Sequence, residues 1–264
     1  MFISIEKSII LGIFLILWLN AIPVNAQFDN IDYRSGDYRF KTKYDTSTYS
    51  TTLKVYYDGD RIFKGNYEQY IAGVKEYDLD NDGKKEVLFE AYSGGAHCCF
   101  TLYAAKFHKG KFILTDSLFL GNGYYEVKDL DNNGKLELEC SNDMFAYAFT
   151  NYAETKFPTM IYKYDNGILT NATSDYKSLI RKEQDIFLNE LKEMTDLGFE
   201  CEEEGEDTFN TGAGSIKTML AAIVADYYSL GEVQKGYELV DSVYKCPDRE
   251  KYKLILQNDF KLRQ

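Results

Sequence analysis

The sequence predicts an α+β chain, with an antiparallel β-rich region followed by a small helical region. Two observations predict it. Up to about residue 173, short runs of β-branched and aromatic residues alternate with Gly- and Asp-rich turns. Beyond residue 173, apolar residues recur at helical spacing. The expected organisation is a signal peptide over 1–26, a β-rich domain over 27–173 and a helical region over 174–264.

The β-rich elements follow in order. Residues 51–57 and 61–64 flank Asp58-Gly59-Asp60, a hairpin signal. Residues 86–91, 98–107 and 111–115 are further strands, with Lys109-Gly110 as the turn between the last two. Residues 135–140 and 159–164 read the same way, and Asp165-Asn166-Gly167 is another turn. In the helical region, Asp175 is expected to cap a helix ending at Leu197, with Gly198 just past it. Ile180, Phe187, Leu191 and Met194 form one face of that helix. A polar loop over 200–211 precedes helices over 215–230 and 232–244. Pro247-Asp248 opens a fourth helix, with Leu254, Ile255 and Phe260 as its apolar positions.

Composition narrows the function classes. The net charge is −12 and no basic cluster is present, which argues against a nucleic-acid partner. Lys7, the apolar run from Ile9 to Leu19 and Val24-Asn25-Ala26 form a signal-peptide pattern. The run is too short to span a bilayer, and no later segment is apolar enough to do so. The expected destination is therefore the periplasm, the cell envelope or the medium, where disulfides are the default state of cysteine. Five cysteines follow the leader: Cys98, Cys99, Cys140, Cys201 and Cys246. The odd number leaves at least one unpaired within the chain.

The strongest signal is an internal repeat. Asp78-Leu79-Asp80-Asn81-Asp82-Gly83-Lys84-Lys85-Glu86 recurs 51 residues later as Asp129-Leu130-Asp131-Asn132-Asn133-Gly134-Lys135-Leu136-Glu137, identical at seven of nine positions. The spacing suits Ca2+, a hard cation that takes six to eight oxygen ligands. Oxygen side chains at positions 1, 3 and 5, a glycine at 6, a carbonyl at 7 and an acid at 9 can enclose such an ion. The expected ligands are Asp78, Asp80, Asp82, the Lys84 carbonyl and Glu86 in the first loop. In the second they are Asp129, Asp131, Asn133, the Lys135 carbonyl and Glu137. An EF-hand is excluded: position 12 is Phe89 or Cys140, and each loop leads into a strand-like segment.

Both loops resemble the calcium loops of FG-GAP and VCBS repeats, in which an Asp-x-Asp-x-Asp-Gly-x-x-Asp/Glu loop joins two strands of a propeller blade. The resemblance covers residues 70–165 at most and lacks the Phe-Gly and Gly-Ala-Pro signatures. It implies two bound calcium ions and a propeller-blade-like or sandwich-like sheet. Residues 27–173 have room for about three blades, short of the four to eight of a closed propeller.

Gly94-Gly95-Ala96-His97-Cys98-Cys99 is the other unusual segment. Its readings are disulfide pairing, a transition-metal site at His97 with a thiolate, a Cys/His catalytic pair, and plain packing. In the disulfide reading, Cys98 or Cys99 faces Cys140 and Cys201 pairs with Cys246. No serine-hydrolase, zinc-protease or phosphate-loop motif is present. The function expected is an exported, calcium-binding, non-enzymatic protein of the FG-GAP/VCBS type that contacts a protein or glycan. The alternative is an exported hydrolase using the Gly94–Cys99 segment.

Overall fold

The computed structural model describes residues 29–95, 98–203 and 205–263. The expected leader over 1–26 and the Ala96-His97 pair lie outside the described residues. The fold is α+β: three four-stranded antiparallel sheets, each a simple meander, precede four helices.

The first sheet runs β1 (Asp32–Ser35), β2 (Tyr38–Asp45), β3 (Ser50–Tyr57) and β4 (Asp60–Tyr67). The second runs β5 (Tyr70–Tyr77), β6 (Glu86–Gly95), β7 (Cys98–His108) and β8 (Lys111–Gly121). The third runs β9 (Tyr125–Lys128), β10 (Glu137–Ser141), β11 (Thr159–Asp165) and β12 (Ile168–Asn171). Two-residue turns close several hairpins. Asp58 and Gly59 both take positive φ, 47° and 89°, between the paired residues Tyr57 and Asp60. That geometry matches the right-handed twist of the flanking strands, and Gly adopts it without a Cβ clash.

The second sheet is the middle layer. On β6, Val87 and Phe89 join Phe40, Leu53 and Val55 of the first sheet in one core. Leu88, between them, joins Leu138 of the third sheet in another. Strand β7 repeats the pattern, with Ala105 toward the first sheet and Leu102 and Ala104 toward the third. Because successive side chains point to opposite faces, a strand covered on both sides is apolar at consecutive positions.

The helices are α1 (Lys177–Leu197), α2 (Gly212–Ser229), α3 (Val233–Val243) and α4 (Arg249–Asn258). On the outer face of the third sheet, Ile161 packs with Tyr176 and with Leu179 of α1. Helix α2 is buried from Ala213 to Asp226 except at Ser215, which makes it the centre of the helical bundle. Phe145 and Phe149, from the β10–β11 connection, lie in that same helical core.

Four expectations are corrected. Asp175 does not cap α1: it lies in a 3₁₀ turn, where Lys163 draws its carboxylate aside at 3.0 Å, and Tyr176 occupies the cap position. Leu254 is exposed, because α4 docks through Tyr252 and Leu256; the Tyr252 hydroxyl donates to the Lys217 carbonyl at 2.6 Å. Phe260 follows α4 rather than belonging to it. Finally, Cys140 pairs with neither Cys98 nor Cys99. Strand β10 belongs to the third sheet and β7 to the second, so they are not neighbours in one ladder. Cys140 is a buried free thiol, pushed up to about 12 by burial, while Cys98 and Cys99 bond to each other. Cys201 and Cys246 pair as expected, joining the polar loop to the α3–α4 connection.

Candidate metal centres

Each acidic loop is a hairpin connection between the first two strands of its sheet. Tyr77 pairs with Glu86 across β5 and β6, and Lys128 pairs with Glu137 across β9 and β10. Position 9 is therefore the first residue of the outgoing strand, and the ladder fixes it opposite the residue just before position 1. Asn81 and Asn132 take φ 59° in both loops, and Gly83 and Gly134 take 82° and 86°. These positive dihedrals fold eight residues back on themselves, and Asn and Gly tolerate them best.

The fold-back gathers the carboxylates. Asp78, Asp80 and Glu86 each place one oxygen within 4.8 Å of the others, and Asp129, Asp131 and Glu137 do the same. The hydrogen bonds around them repeat. Asp78 accepts the Asp82 and Gly83 amides, both at 3.0 Å. Asp129 accepts those of Asn133 and Gly134, at 3.0 and 2.9 Å. Glu86 accepts the Leu79 amide at 3.0 Å, and Glu137 the Leu130 amide at 3.0 Å. The acid that closes each loop is thus anchored to its second residue.

Positions 5 and 7 are engaged with each other. Asp82 accepts the Lys84 amide at 2.8 Å and pairs with the Lys84 ammonium at 2.8 Å, which holds its carboxyl below the usual range. Asn133 accepts the Lys135 amide at 2.7 Å. The carboxylate clusters therefore comprise positions 1, 3 and 9, with Asp82 and Asn133 turned toward the Lys84 and Lys135 peptides.

The donor set fits a hard cation. Glu86 and Glu137 are buried, and burying a carboxylate is costly without a compensating charge. Burial, with the Asp80 and Asp82 charges added, pushes Glu86 up to about 7. Asp80 Oδ1 is buried with no hydrogen-bond partner among the described residues. A cation at the centre of the cluster would supply the missing partner and offset the mutual repulsion.

The loops also touch. The Leu136 amide donates to the Leu79 carbonyl at 3.0 Å, and the Asn81 side chain lies against the Gly134 α-carbon. Nothing in the repeat itself indicated this contact, because it depends on how the second and third sheets stack.

The Gly94–Cys99 segment is only partly described, and His97 lies outside the described residues. Cys98 and Cys99 are joined to each other, and the Cys99 amide donates to Ser93 Oγ at 2.6 Å.

No family model matches the chain, and no solved structure matches it. Two curated proteins are similar in sequence. A probable thylakoid lumen protein of Synechocystis sp. is 26% identical over 185 residues, 68% of this chain and 49% of that protein. An uncharacterized protein of Sinorhizobium fredii is 26% identical over 100 residues, 37% of this chain and 16% of that protein. The chain thus matches about half the length of the first relative and a smaller share of the second.

Proposed function

We propose that this chain is an exported calcium-binding protein of the FG-GAP/VCBS type, acting as a non-enzymatic binding or envelope protein toward a protein or glycan. The observation that carries the reading is the twin geometry. Two loops 51 residues apart gather the same three acids, at the same step of two successive four-stranded meanders. The buried, unpartnered Asp80 Oδ1 supports a cation in the first. The three meanders also agree with a blade-like arrangement of sheets. Export is supported by the relative named as a probable thylakoid lumen protein. Among the described residues, no helix is long and apolar enough to cross a membrane.

Calcium would be held in the first loop by Asp78, Asp80 and Glu86, with Asp82 and the Lys84 carbonyl turning inward when it binds. Asp129, Asp131, Glu137, Asn133 and the Lys135 carbonyl would do the same in the second. The ion's task is structural: it neutralises the converging carboxylates and fixes two hairpins at the junction of the second and third sheets.

A thermal melt followed by circular dichroism tests this. Calcium sites of extracellular type have Kd of roughly 10⁻⁴–10⁻³ M, so about 10 mM calcium should add about 1.4–2.7 kcal/mol per site relative to chelator. That corresponds to a rise of several degrees, about 2–4 °C per kcal/mol for a chain of this size. The rise should vanish in the double variant Asp80→Ala, Asp131→Ala. An unchanged melting point in the wild-type chain would sink the proposal.

A further inference from the structure

Leu79 connects the two acidic loops. Its amide donates to Glu86 Oε2 at 3.0 Å, closing the first loop, and its carbonyl accepts the Leu136 amide at 3.0 Å. Leu136 stands between Lys135 and Glu137, the seventh and ninth positions of the second loop. One buried residue therefore carries a bond to each loop's closing turn, through the two peptide units on either side of its α-carbon. A second contact runs beside it: a Cβ on Gly134 would come within 2.7 Å of Asn81 Nδ2, so the bare α-carbon is what lets the loops meet. At Gly83, the same position of the first loop, a Cβ would meet nothing within 4 Å. The loops are alike in sequence, but only the second offers its glycine to its neighbour.

We infer that the two loops bind their cations cooperatively, as one linked unit coupled through the Leu79–Leu136 hydrogen bond and the Asn81–Gly134 contact. This rests on the calcium reading above. With no cation, three converging carboxylates repel, and that repulsion opposes the hydrogen bonds that hold each loop and join it to its neighbour. A cation in the first loop draws in Asp80 and Glu86, fixes Leu79 through Glu86, and so fixes the acceptor on which Leu136 hangs. The second loop is then already ordered when its ion arrives and loses less conformational entropy on binding it. Although the contact is asymmetric, the coupling must be reciprocal: each ion strengthens the other by the same factor. Couplings of this kind are typically about 5–150-fold.

Titration calorimetry of the full chain with calcium chloride tests the inference. We expect two sites, with the second ion bound about five-fold tighter or more than the first. Asp131→Ala, which disables the second loop, should weaken the surviving site by about five-fold or more, and Asp80→Ala should do the same in reverse. Asn81→Gly suits the positive φ of that position; it should keep both sites while reducing the coupling. Leu136→Pro, which removes the donor, is the second route to the same loss. A surviving loop in Asp131→Ala or Asp80→Ala that binds as tightly as in the wild type overturns the coupling and leaves calcium binding intact. Coupling undiminished in both Asn81→Gly and Leu136→Pro overturns the route. No binding in the wild type removes the calcium reading and this inference together.

Discussion

Glu86 is under two opposing demands. It is buried at the first position of β6, yet it must carry a charge to bind a cation. Burial and the nearby acids raise its folded value from 4.5 to about 7. A carboxyl raised in this way contributes stability that is full below its unfolded value and is lost as pH rises through about 7. In chelator at about pH 8, Glu86→Gln should therefore melt higher than the wild type. The amide removes the cost of ionising a buried carboxyl, about 1.4 kcal/mol for every tenfold weakening of the acid. In calcium the order should reverse, because the amide is a poorer ligand. Melts of the two proteins in the two buffers check the crossing; parallel curves would argue against a cation at Glu86. The glycines give a second comparison at this scale. Gly83→Ala and Gly134→Ala both place a Cβ at positive φ, costing about 1–2 kcal/mol each. Gly134→Ala also drives a methyl into Asn81, so chemical denaturation should show it the less stable of the two. The repeat displayed both glycines as equivalent, and their difference became legible only once the sheets were stacked.

Among the elements, consecutive apolar positions gave the clearest strand signal. Strands β6 and β7 are apolar at consecutive positions and were found from the sequence, while β3, β4, β8, β10 and β11 were found as shorter β-like runs beside turn signals. Strands β2 and β5, which mix charged and aromatic residues along partly exposed faces, were not found. Strands β9 and β12 have four residues each, too few to show a period. The α1 face through Ile180 and Leu191 was legible, but its polar partner was not. Asp226 of α2 is buried beside Glu183 of α1, and Glu183 accepts the Thr159 amide and hydroxyl at 3.0 and 2.7 Å. Helical periodicity flags apolar positions, and an acid inside an apolar stripe gives no signal of what it faces. Burial first, then the Glu183 charge, raises Asp226 to about 9. Its contribution to stability is thus full below about 3.8 and is lost as pH rises through about 9. Unfolding free energy should fall by up to about 1.4 kcal/mol per pH unit between about pH 7 and 9, and Asp226→Asn should flatten that slope. Denaturant titrations across that range decide it, and equal slopes would mean that the pair is solvated.

The whole molecule is a stack of layers that share residues. The first and second sheets share one core, the second and third another, and Ile161 with Tyr176 and Leu179 joins the third sheet to α1. The β10–β11 connection goes further, inserting Phe145 and Phe149 into the helical core beside Tyr252 and Phe260. The change from strand to helix near residue 173, plain in the sequence, should therefore not be an energetic boundary, because a core that crosses it must be broken for either side to unfold alone. The two acidic loops lie at the second junction of this stack, touching each other across it. Calcium bound there should thus protect helices that it never touches. The helical dichroism of the full chain should melt in one transition, and that transition should move upward with calcium by as much as any signal from the sheets. A chain ending at residue 173 would expose Phe145, Phe149 and Ile161, and it should melt far lower or aggregate. If the helices instead melt separately and ignore calcium, the layers are energetically independent, and the shared aromatic residues do not transmit order from the loops to the bundle.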